Sequence, residues 1–315
     1  MTEATFLVHG IGFSESSCHP RMPTPVGNTV MTLRKRILWV ALCAFAGAFG
    51  FAACVALANA RMLARRYPVV PVELAAATSP GAVAHGKALA DIAGCTDCHR
   101  ADLRGGLFDD EGWWNGKYYA SNLTLKARSY SDADLARVVR LGVRPDGRGV
   151  IAMPSFAFVR LTDSEMADLI AFVRSVPAGG PEQPGNFIGP FGQWDLWRGR
   201  TFKTAISYVA AERVKEPADA GPEYAAARHL VGIVCAECHG GALTGNGWDS
   251  GAPDLVVGVA YGVPELTRLL RTGIGLDGRE HGLMSDVARS RLHNLTDAQI
   301  VAIRDYLGAR ARLKP

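Results

Sequence analysis

Two short motifs place a pair of cysteines directly before a histidine: Cys95-Thr96-Asp97-Cys98-His99 and Cys235-Ala236-Glu237-Cys238-His239. Two thiols at this spacing can each add across one of the two vinyl groups of a porphyrin, and the adjacent imidazole can then bind the iron. The motifs therefore predict two covalently bound haem c groups, attached through Cys95 and Cys98 and through Cys235 and Cys238. His99 and His239 are the predicted axial ligands of the two irons.

Two other uses of paired cysteines fit less well. A structural zinc ion would need the pairs within roughly 15–20 residues of each other, whereas here they are far apart in the sequence. A redox-active dithiol of the thioredoxin type would need a neighbouring βαβ pattern, which the sequence lacks. The total of seven cysteines is odd, which also argues against a chain held together entirely by internal disulfides.

An internal repeat relates the two halves of the chain. Residues 134–143 resemble residues 265–274, and at the same offset Met153 falls on Met284. A second shared block begins Leu-Thr-Asp in both copies, at Leu161 and at Leu295. Each block reads as a capping box followed by apolar residues at helical spacing, which predicts a helix in each copy. The repeat therefore predicts two domains of the same fold.

The repeat also suggests the sixth ligand of each iron. A methionine thioether is the usual partner of histidine in haems that only carry electrons, and it tends to raise the reduction potential. Met153 lies outside the predicted helices and before Pro154, which would stiffen its loop, so it is the predicted ligand in the first copy. Met284 is its counterpart in the second copy, with His281 as a rival nitrogen ligand. Met166, on an apolar helical stripe, is interpreted as core.

Helical patterns dominate the rest of the sequence. A helix is predicted ahead of each motif, over residues 82–94 and 223–234, and strand signals are nearly absent. We therefore expect a mostly α fold. The predicted organisation is an N-terminal segment at 1–36, a transmembrane helix at 37–60, a linker at 61–80, a first domain at 81–178, an interdomain linker at 179–221 and a second domain at 222–312. Trp194 and Trp197 are interpreted as linker residues that pack against a domain.

The chain from Ile37 to Ala60 carries no charge and is long enough to cross a bilayer as a helix. A cleaved signal peptide is the alternative, because residues 58–60 have the small-x-small form, but the apolar run exceeds the usual 7–15 residues. Basic residues flank both ends, so charge does not set the orientation. Met31, just before the basic and apolar stretch, is an alternative start of the protein.

The composition is that of a globular protein, with 48% hydrophobic and 20% charged residues in 315. The formal net charge of +4 is small and the basic residues are scattered, so a nucleic-acid partner is not expected. The acidic cluster 109–111 is interpreted as a solvated loop, with a docking patch as the alternative. Three further histidines are interpreted as surface or packing residues: His85, His229 and His293.

Each repeat, with its Cys-x-x-Cys-His motif early and its methionine late, resembles a class I cytochrome c domain. Residues 118–124, 142–147 and 152–154 are also similar to the cytochrome subunits of membrane-bound bacterial dehydrogenases for alcohols, sugar acids and aldehydes. Those subunits usually carry three haem motifs, whereas this chain has two. The resemblance implies a fold in which the first and last helices of each domain cross.

At that crossing small residues should meet aromatic ones. Gly86 and Phe172 are the expected pair in the first copy, and Ala226 and Tyr306 are the expected pair in the second.

The resemblance and the saturated iron coordination predict electron transfer without intrinsic catalysis. A partner dehydrogenase would reduce one haem, the electron would pass to the other, and a quinone, soluble cytochrome or terminal oxidase would accept it. Because haem is attached outside the cytoplasm, we expect a single-pass protein of a bacterial inner membrane with a cytoplasmic N-terminus and periplasmic haem domains. The alternatives are a dihaem peroxidase, which needs one open iron, and a redox-sensing or gas-binding module.

Overall fold

The computed structural model describes residues 32–200, 204–213, 215–245 and 251–313. Contacts divide the chain between Phe51 and Ala52. In the N-terminal unit, the described residues are almost entirely helix, and the C-terminal unit holds the remaining elements. Cys18 and the alternative start at Met31 lie outside the described residues.

The described residues are mostly helical, as the sequence predicts. The α-helices are α1 (Leu33–Leu63), α2 (Ala82–Ile92), α3 (Cys95–His99), α4 (Gly112–Asn115), α5 (Leu123–Ser129), α6 (Asp132–Leu141), α7 (Ser155–Phe158), α8 (Asp163–Ser175), α9 (Pro190–Arg198), α10 (Ala205–Glu212), α11 (Ala225–Val234), α12 (Ala236–His239), α13 (Val263–Thr272), α14 (Leu283–Ser290) and α15 (Asp297–Arg310). Short 3₁₀ turns span Pro222–Tyr224, Leu255–Ala260 and Leu292–Asn294.

Helix α1 is 31 residues long and is apolar enough to cross a membrane. It covers the predicted span 37–60 and extends beyond it at both ends. Its position near the N-terminus fits a retained anchor and also fits a signal sequence.

A three-stranded antiparallel sheet follows the first motif, although the sequence shows almost no strand signal. Its order is β1 (Gly106–Asp110), β2 (Gly116–Ala120) and β3 (Phe187–Ile188), and the register slips between Leu107 and Asp109. The strands are too short for an alternating apolar pattern to stand out. The acidic cluster 109–111, expected in a loop, therefore begins within β1.

The expected helix crossing is present in the first copy. Gly86 on α2 lies so close to the carbonyl oxygen of Asp168 on α8 that a Cβ atom at this position would collide with it. Phe172, on the same helix α8, is buried. A residue without a side chain is therefore required where these two helices meet.

The second copy differs at the corresponding position. Tyr306 on α15 is fully buried, as expected, but Ala226 is exposed and its neighbour Ala227 is buried instead. Helix α11 runs directly into Cys235, whereas α2 stops at Ile92, before Gly94 turns the chain. The two helices therefore enter their motifs in different registers, and the prediction for Ala226 was wrong by one residue.

Both copies contribute to one continuous apolar core. Met166 and Ile170 on α8 and Val231 and Ile300 of the second copy are all buried within the same cluster. The stretch predicted as an interdomain linker, 179–221, contains β3, α9 and α10.

The two predicted capping boxes are confirmed. The backbone N–H of Glu165 donates to the Thr162 hydroxyl, and that of Gln299 donates to the Thr296 hydroxyl, both at 3.2 Å. Each cap starts the last helix of its copy at the predicted residue.

Candidate functional site

The first motif forms a short helix, α3, that ends at His99. Nδ1 of His99 lies 2.9 Å from the carbonyl oxygen of Ser121. Since a carbonyl only accepts, Nδ1 donates, and Nε2 keeps its lone pair. Burial lowers the pKa of His99, and the hydrogen bond to Ser121 offsets only part of this shift. The imidazole is therefore held neutral and oriented, which is the form that binds a metal.

The second motif holds its histidine in the same way. Nδ1 of His239 lies 2.8 Å from the carbonyl oxygen of Pro253 and donates to it. Burial lowers the pKa of His239, against smaller opposing effects of Pro253 and Asp254. The side chain is almost fully buried, with 8% of the residue exposed. Its Nε2 is thus available as a ligand, like that of the first histidine.

The loop after each histidine also follows the same course. The backbone N–H groups of Gly105 and Gly245 donate to the carbonyl of their own motif's histidine, both at 2.9 Å. Leu103 and Leu243 occupy matching positions, are fully buried and have φ values of 57° and 61°. A left-handed backbone disfavours a leucine by roughly 1–2 kcal/mol, so burial must impose it. The equivalence of the two motifs therefore extends from sequence to local structure.

A cavity of about 920 Å³ collects the predicted groups of the first copy. Cys95, Cys98, His99 and Met153 all line it. Its walls are mainly apolar, and they include Leu103, Phe108, Leu135, Phe158, Ile170 and Phe172. Its volume lies at the upper end of the range for cofactor sites. Two thiols, an oriented imidazole and a thioether around one apolar cavity fit a covalently bound haem.

Met153 lies outside the helices, as predicted from its sequence context. It follows Ala152, whose φ of 63° is unusual for a residue with a side chain, and precedes Pro154. This strained turn, stiffened by the proline, places the thioether at the cavity.

The second copy presents its methionine differently. Met284 lies in the first turn of α14, not in a loop, and is half-buried against the shared core. The rival ligand His281 is exposed, and its Nε2 lies 3.2 Å from Oδ1 of Asp277. Ser285 is the residue that aligns with Pro154 in the repeat. Its hydroxyl donates to the Gly273 carbonyl at 2.6 Å and fixes the start of α14. The choice of Met284 over His281 as ligand stays a prediction.

The four thiols do not behave like a redox-active dithiol. Burial raises the pKa of Cys95, Cys98 and Cys235 to about 12 and that of Cys238 to about 11. Redox-active pairs instead have a depressed pKa on the attacking cysteine. In the part of the chain that the structure describes, the cysteines also do not converge with other ligands into a metal-binding group.

An arginine that the sequence patterns do not mark joins the two motifs. Nε of Arg291 lies 2.9 Å from Oδ2 of Asp97, and Nη1 lies 2.6 Å from Oε2 of Glu237. These acids occupy the same position within the two motifs, between the cysteines. Burial lowers the pKa of Arg291, but the two carboxylates outweigh it and raise the pKa above its usual value. The only available signal was the matching acidic residue in each motif.

The same contact brings the second motif to the first cavity. Glu237, Cys238 and Arg291 line that cavity together with the groups of the first copy. The two Cys-x-x-Cys-His motifs therefore lie next to each other, although 135 residues of sequence separate the end of one from the start of the other.

The remaining predicted polar residues have ordinary partners. In the acidic cluster, Asp110 is paired with Lys117 at 2.7 Å and is solvent-exposed. His85 contacts Asp168 at 2.7 Å, and His229 contacts Glu165 at 2.9 Å. Their interpretation as surface or packing residues agrees with these contacts.

Comparison with known proteins agrees with this site. Residues 83–177 match the cytochrome c family model. The chain is also 27% identical over 260 residues to the fructose dehydrogenase cytochrome subunit of Gluconobacter japonicus, covering 71% of this chain and 52% of that protein. The chain thus spans about half the length of this relative.

The family match covers the first motif, Met153 and most of the cavity lining, and it implies an iron-containing haem c bound covalently at this site. The chain therefore contains a cytochrome c domain at residues 83–177, and it is similar in sequence to the cytochrome subunit of a dehydrogenase.

Proposed function

We propose that this chain is a membrane-anchored dihaem cytochrome that carries electrons from a partner dehydrogenase to a respiratory acceptor. The acceptor is a quinone, a soluble cytochrome or a terminal oxidase. Two cytochrome c domains, residues 81–178 and 222–312, each hold one haem c. Helix α1 anchors the chain in a bacterial inner membrane as a single span, with the N-terminus in the cytoplasm and both haem domains in the periplasm.

The observation that carries the proposal is the equivalence of the two motifs. Each has its two thiols, a histidine whose Nδ1 donates to a backbone carbonyl, and a following loop with a buried left-handed leucine. The second motif lies outside the family match, so its assignment rests on this shared geometry.

The residues then have defined roles. Cys95 and Cys98 bond one porphyrin, and Cys235 and Cys238 bond the other. His99 and Met153 ligate the first iron, and His239 and Met284 ligate the second. When bound, each haem supplies one-electron chemistry by cycling its iron between the ferrous and ferric states.

The polypeptide around the first site suits that chemistry. The apolar wall excludes water and so limits rearrangement when the charge of the site changes. Arg144 lines the cavity and offers positive charge to a carboxylate of a porphyrin, whereas Lys126 and Arg148, which also line it, are paired with Glu182 and Asp146. Two protein ligands on an iron leave no open position for a substrate, which supports a carrier and argues against a peroxidase.

The contact between the motifs supports passage of electrons within the chain. Cys238 lines the cavity that also contains Cys98, so the two attachment sites share one wall. At that wall, Arg291 forms ion pairs with Asp97 of the first motif and Glu237 of the second. An electron can therefore enter at one site and leave at the other without a second protein between them.

The electron donor of this chain is inferred from the related fructose dehydrogenase cytochrome subunit. Its name assigns it as the cytochrome subunit of a fructose dehydrogenase, and we infer that a dehydrogenase is also the electron donor here.

The test is a haem count on the purified full chain and on two double variants. Cys95→Ser with Cys98→Ser, and Cys235→Ser with Cys238→Ser, should each leave one haem after extraction with acidic acetone, as measured by mass spectrometry. Cys43→Ser with Cys54→Ser, in helix α1, is the control and should keep two. A single haem in the unmodified chain would refute the dihaem assignment.

Spectroscopy then separates a carrier from the alternatives. A carrier should show low-spin spectra in both redox states, no peroxide turnover and no rapid binding of carbon monoxide to the reduced protein. Peroxide turnover would identify a peroxidase, and rapid carbon monoxide binding would indicate an open iron.

A further inference from the structure

Six large aromatic side chains are solvent-exposed in the part of the chain on and around the small sheet. Their exposed fractions run from 36% to 61%. They are Trp113, Trp114, Phe187, Phe191, Trp194 and Trp197, and we call them the aromatic surface. Exposed aromatic patches of this kind usually mark an interaction site.

Backbone contacts hold the two halves of the aromatic surface together. The N–H of Gly189 donates to the carbonyl of Asn115 at 2.9 Å, and Gly192 packs against the same carbonyl. The ring centroids of Trp114 and Phe191 are 5.7 Å apart. The short helix α4 and the helix α9 therefore present their aromatic side chains as one fixed feature.

Helix α9 is also bonded to the C-terminal part of α1. Nδ2 of Asn59 donates to the carbonyl and to the side-chain oxygen of Gln193, both at 2.7 Å. Asn59 is almost completely buried, with 2% exposed. Leu196 and Trp197 line a cavity of about 420 Å³ together with Ala58 of α1. The aromatic surface is thus attached to this end of the apolar helix.

The position of this contact along α1 corresponds to a membrane boundary. Asn59 lies two residues before Arg61, which ends the uncharged stretch. At a rise of about 1.5 Å per residue, these positions differ in depth by only about 3 Å. Tryptophan is enriched at this level in membrane proteins, because its ring is apolar and its N–H needs a polar partner.

Charges of both signs lie near the aromatic surface, because the acidic residues 109–111 precede Trp113 and two arginines lie close to α9 and to the end of the uncharged stretch. Arg198 lies over the ring of Trp194, with its guanidinium carbon 5.6 Å from the ring centroid. Arg61 follows the uncharged stretch of α1. Asp195 is the acid within α9, and its nearest basic partner is Arg200, at 3.9 Å. Arginines close to exposed indole rings are favourable at the surface of an acidic bilayer.

We propose that the aromatic surface lies in the headgroup region of the bilayer that α1 spans, and that it fixes the haem-bearing unit against the membrane. The inference rests on the retained anchor of the proposed function. A docked dehydrogenase subunit is the competing occupant, and the test below is made without one.

The test uses the unmodified full chain, purified and reconstituted into vesicles of phosphatidylcholine and phosphatidylglycerol. A trace of phosphatidylcholine carries a photoreactive diazirine on the acyl chain near the glycerol. After irradiation and digestion, mass spectrometry locates the lipid adducts. Peptides that contain residues 113–114 and 190–197 should carry adducts about ten-fold more often than the control peptide.

The control peptide contains Val301 on α15, which has 40% exposure and lies outside the aromatic surface. Adducts confined to α1 would overturn the inference and leave the anchor intact. No adducts even in α1 would overturn both the anchor and the inference. Equal labelling of the α9 and α15 peptides would also overturn the inference, because the label would then report exposure alone.

Discussion

Arg291, at the end of α14, bonds Asp97 inside the first motif, with 2.9 Å between Nε and Oδ2. The same guanidinium bonds Glu237 inside the second motif at 2.6 Å. One side chain, with only 11% of its surface exposed, therefore neutralises an acid in each motif and joins the two. Its removal would leave two partly buried carboxylates facing each other without a cation.

Arg291→Gln should lower the free energy of unfolding by roughly 2 kcal/mol, since partial exposure of the acids reduces the full effect of a broken buried pair. It should also lower the reduction potential of the adjacent site, because a positive charge is lost near the iron. Chemical denaturation and a redox titration measure the two effects. Arg291→Lys should recover part of both.

Arg279→Gln is the matched control for this variant. Arg279 is 81% exposed and lies 3.7 Å from Asp277, so its loss should change neither stability nor potential appreciably. Equal effects of the two substitutions would contradict a special role of Arg291.

The contact between His229 on α11 and Glu165 on α8 should make stability depend on pH. The hydrogen bond that His229 donates to Glu165 raises the pKa of His229 above its usual 6.5. Burial raises the pKa of Glu165, but the hydrogen bonds from His229 and Thr162 outweigh it and lower the pKa to about 2. The histidine's contribution is complete below pH 6.5 and is lost as pH rises through its folded pKa. The glutamate's contribution is present above pH 4.5 and is lost as pH falls towards 2.

The pair should therefore stabilise the protein most between pH 4.5 and 6.5. Denaturation of the unmodified protein should show a loss of about 1 kcal/mol between this range and alkaline pH, which His229→Gln removes. An unchanged profile in His229→Gln would show that other groups cause it.

Ligand substitutions should separate Met284 from His281. Met284→Leu should remove the sulfur-to-iron absorption of one ferric haem and lower its potential, because methionine ligation raises it. His281→Gln should leave both unchanged, since that side chain is exposed beside Asp277. The opposite result would assign His281 as the ligand.

The first copy offers its own comparison. Met153→Leu should have the same spectral effect on the other haem, whereas Met166→Leu should not, because Met166 is fully buried core. A spectral change on substitution of Met166 would overturn the ligand assignment for Met153.

The crossing of α2 and α8 should not tolerate a methyl group. Gly86→Ala places a Cβ against the Asp168 carbonyl, which must move and separate the helices. We expect a loss of roughly 1–3 kcal/mol in the free energy of unfolding, measured by denaturation. Gly81→Ala, where a Cβ meets nothing within 4 Å, is the control and should be close to neutral.

Local sequence patterns predicted the positions of individual helices and of Met153 correctly. The spacing of apolar residues and the two capping boxes predicted α8 and α15, and both begin where the boxes place them. The repeat pointed to Met153, which the structure places at the cavity with Cys95. These features depend on residues that are close in sequence, so a linear reading can detect them.

Contacts between distant residues were not predictable in the same way. Arg291 and Asp97 are 194 positions apart, and nothing in the repeat marks the arginine, since it serves both copies at once. The placement of Met284 also departs from the first copy: α14 begins one residue before Met284, whereas α7 begins two residues after Met153, behind Pro154. A repeat predicts the local structure that the two copies share. It does not predict the contacts between the copies.

The shared wall of the first cavity bears on how the protein matures. Synthesis runs from the N-terminus, so the stretch from Ala82 to Ser175 is complete before Glu237, Cys238 and Arg291 have been made. During that interval the cavity lacks part of its wall. The residues that match the family model, 83–177, therefore do not enclose this cavity by themselves, and the later half of the chain completes it.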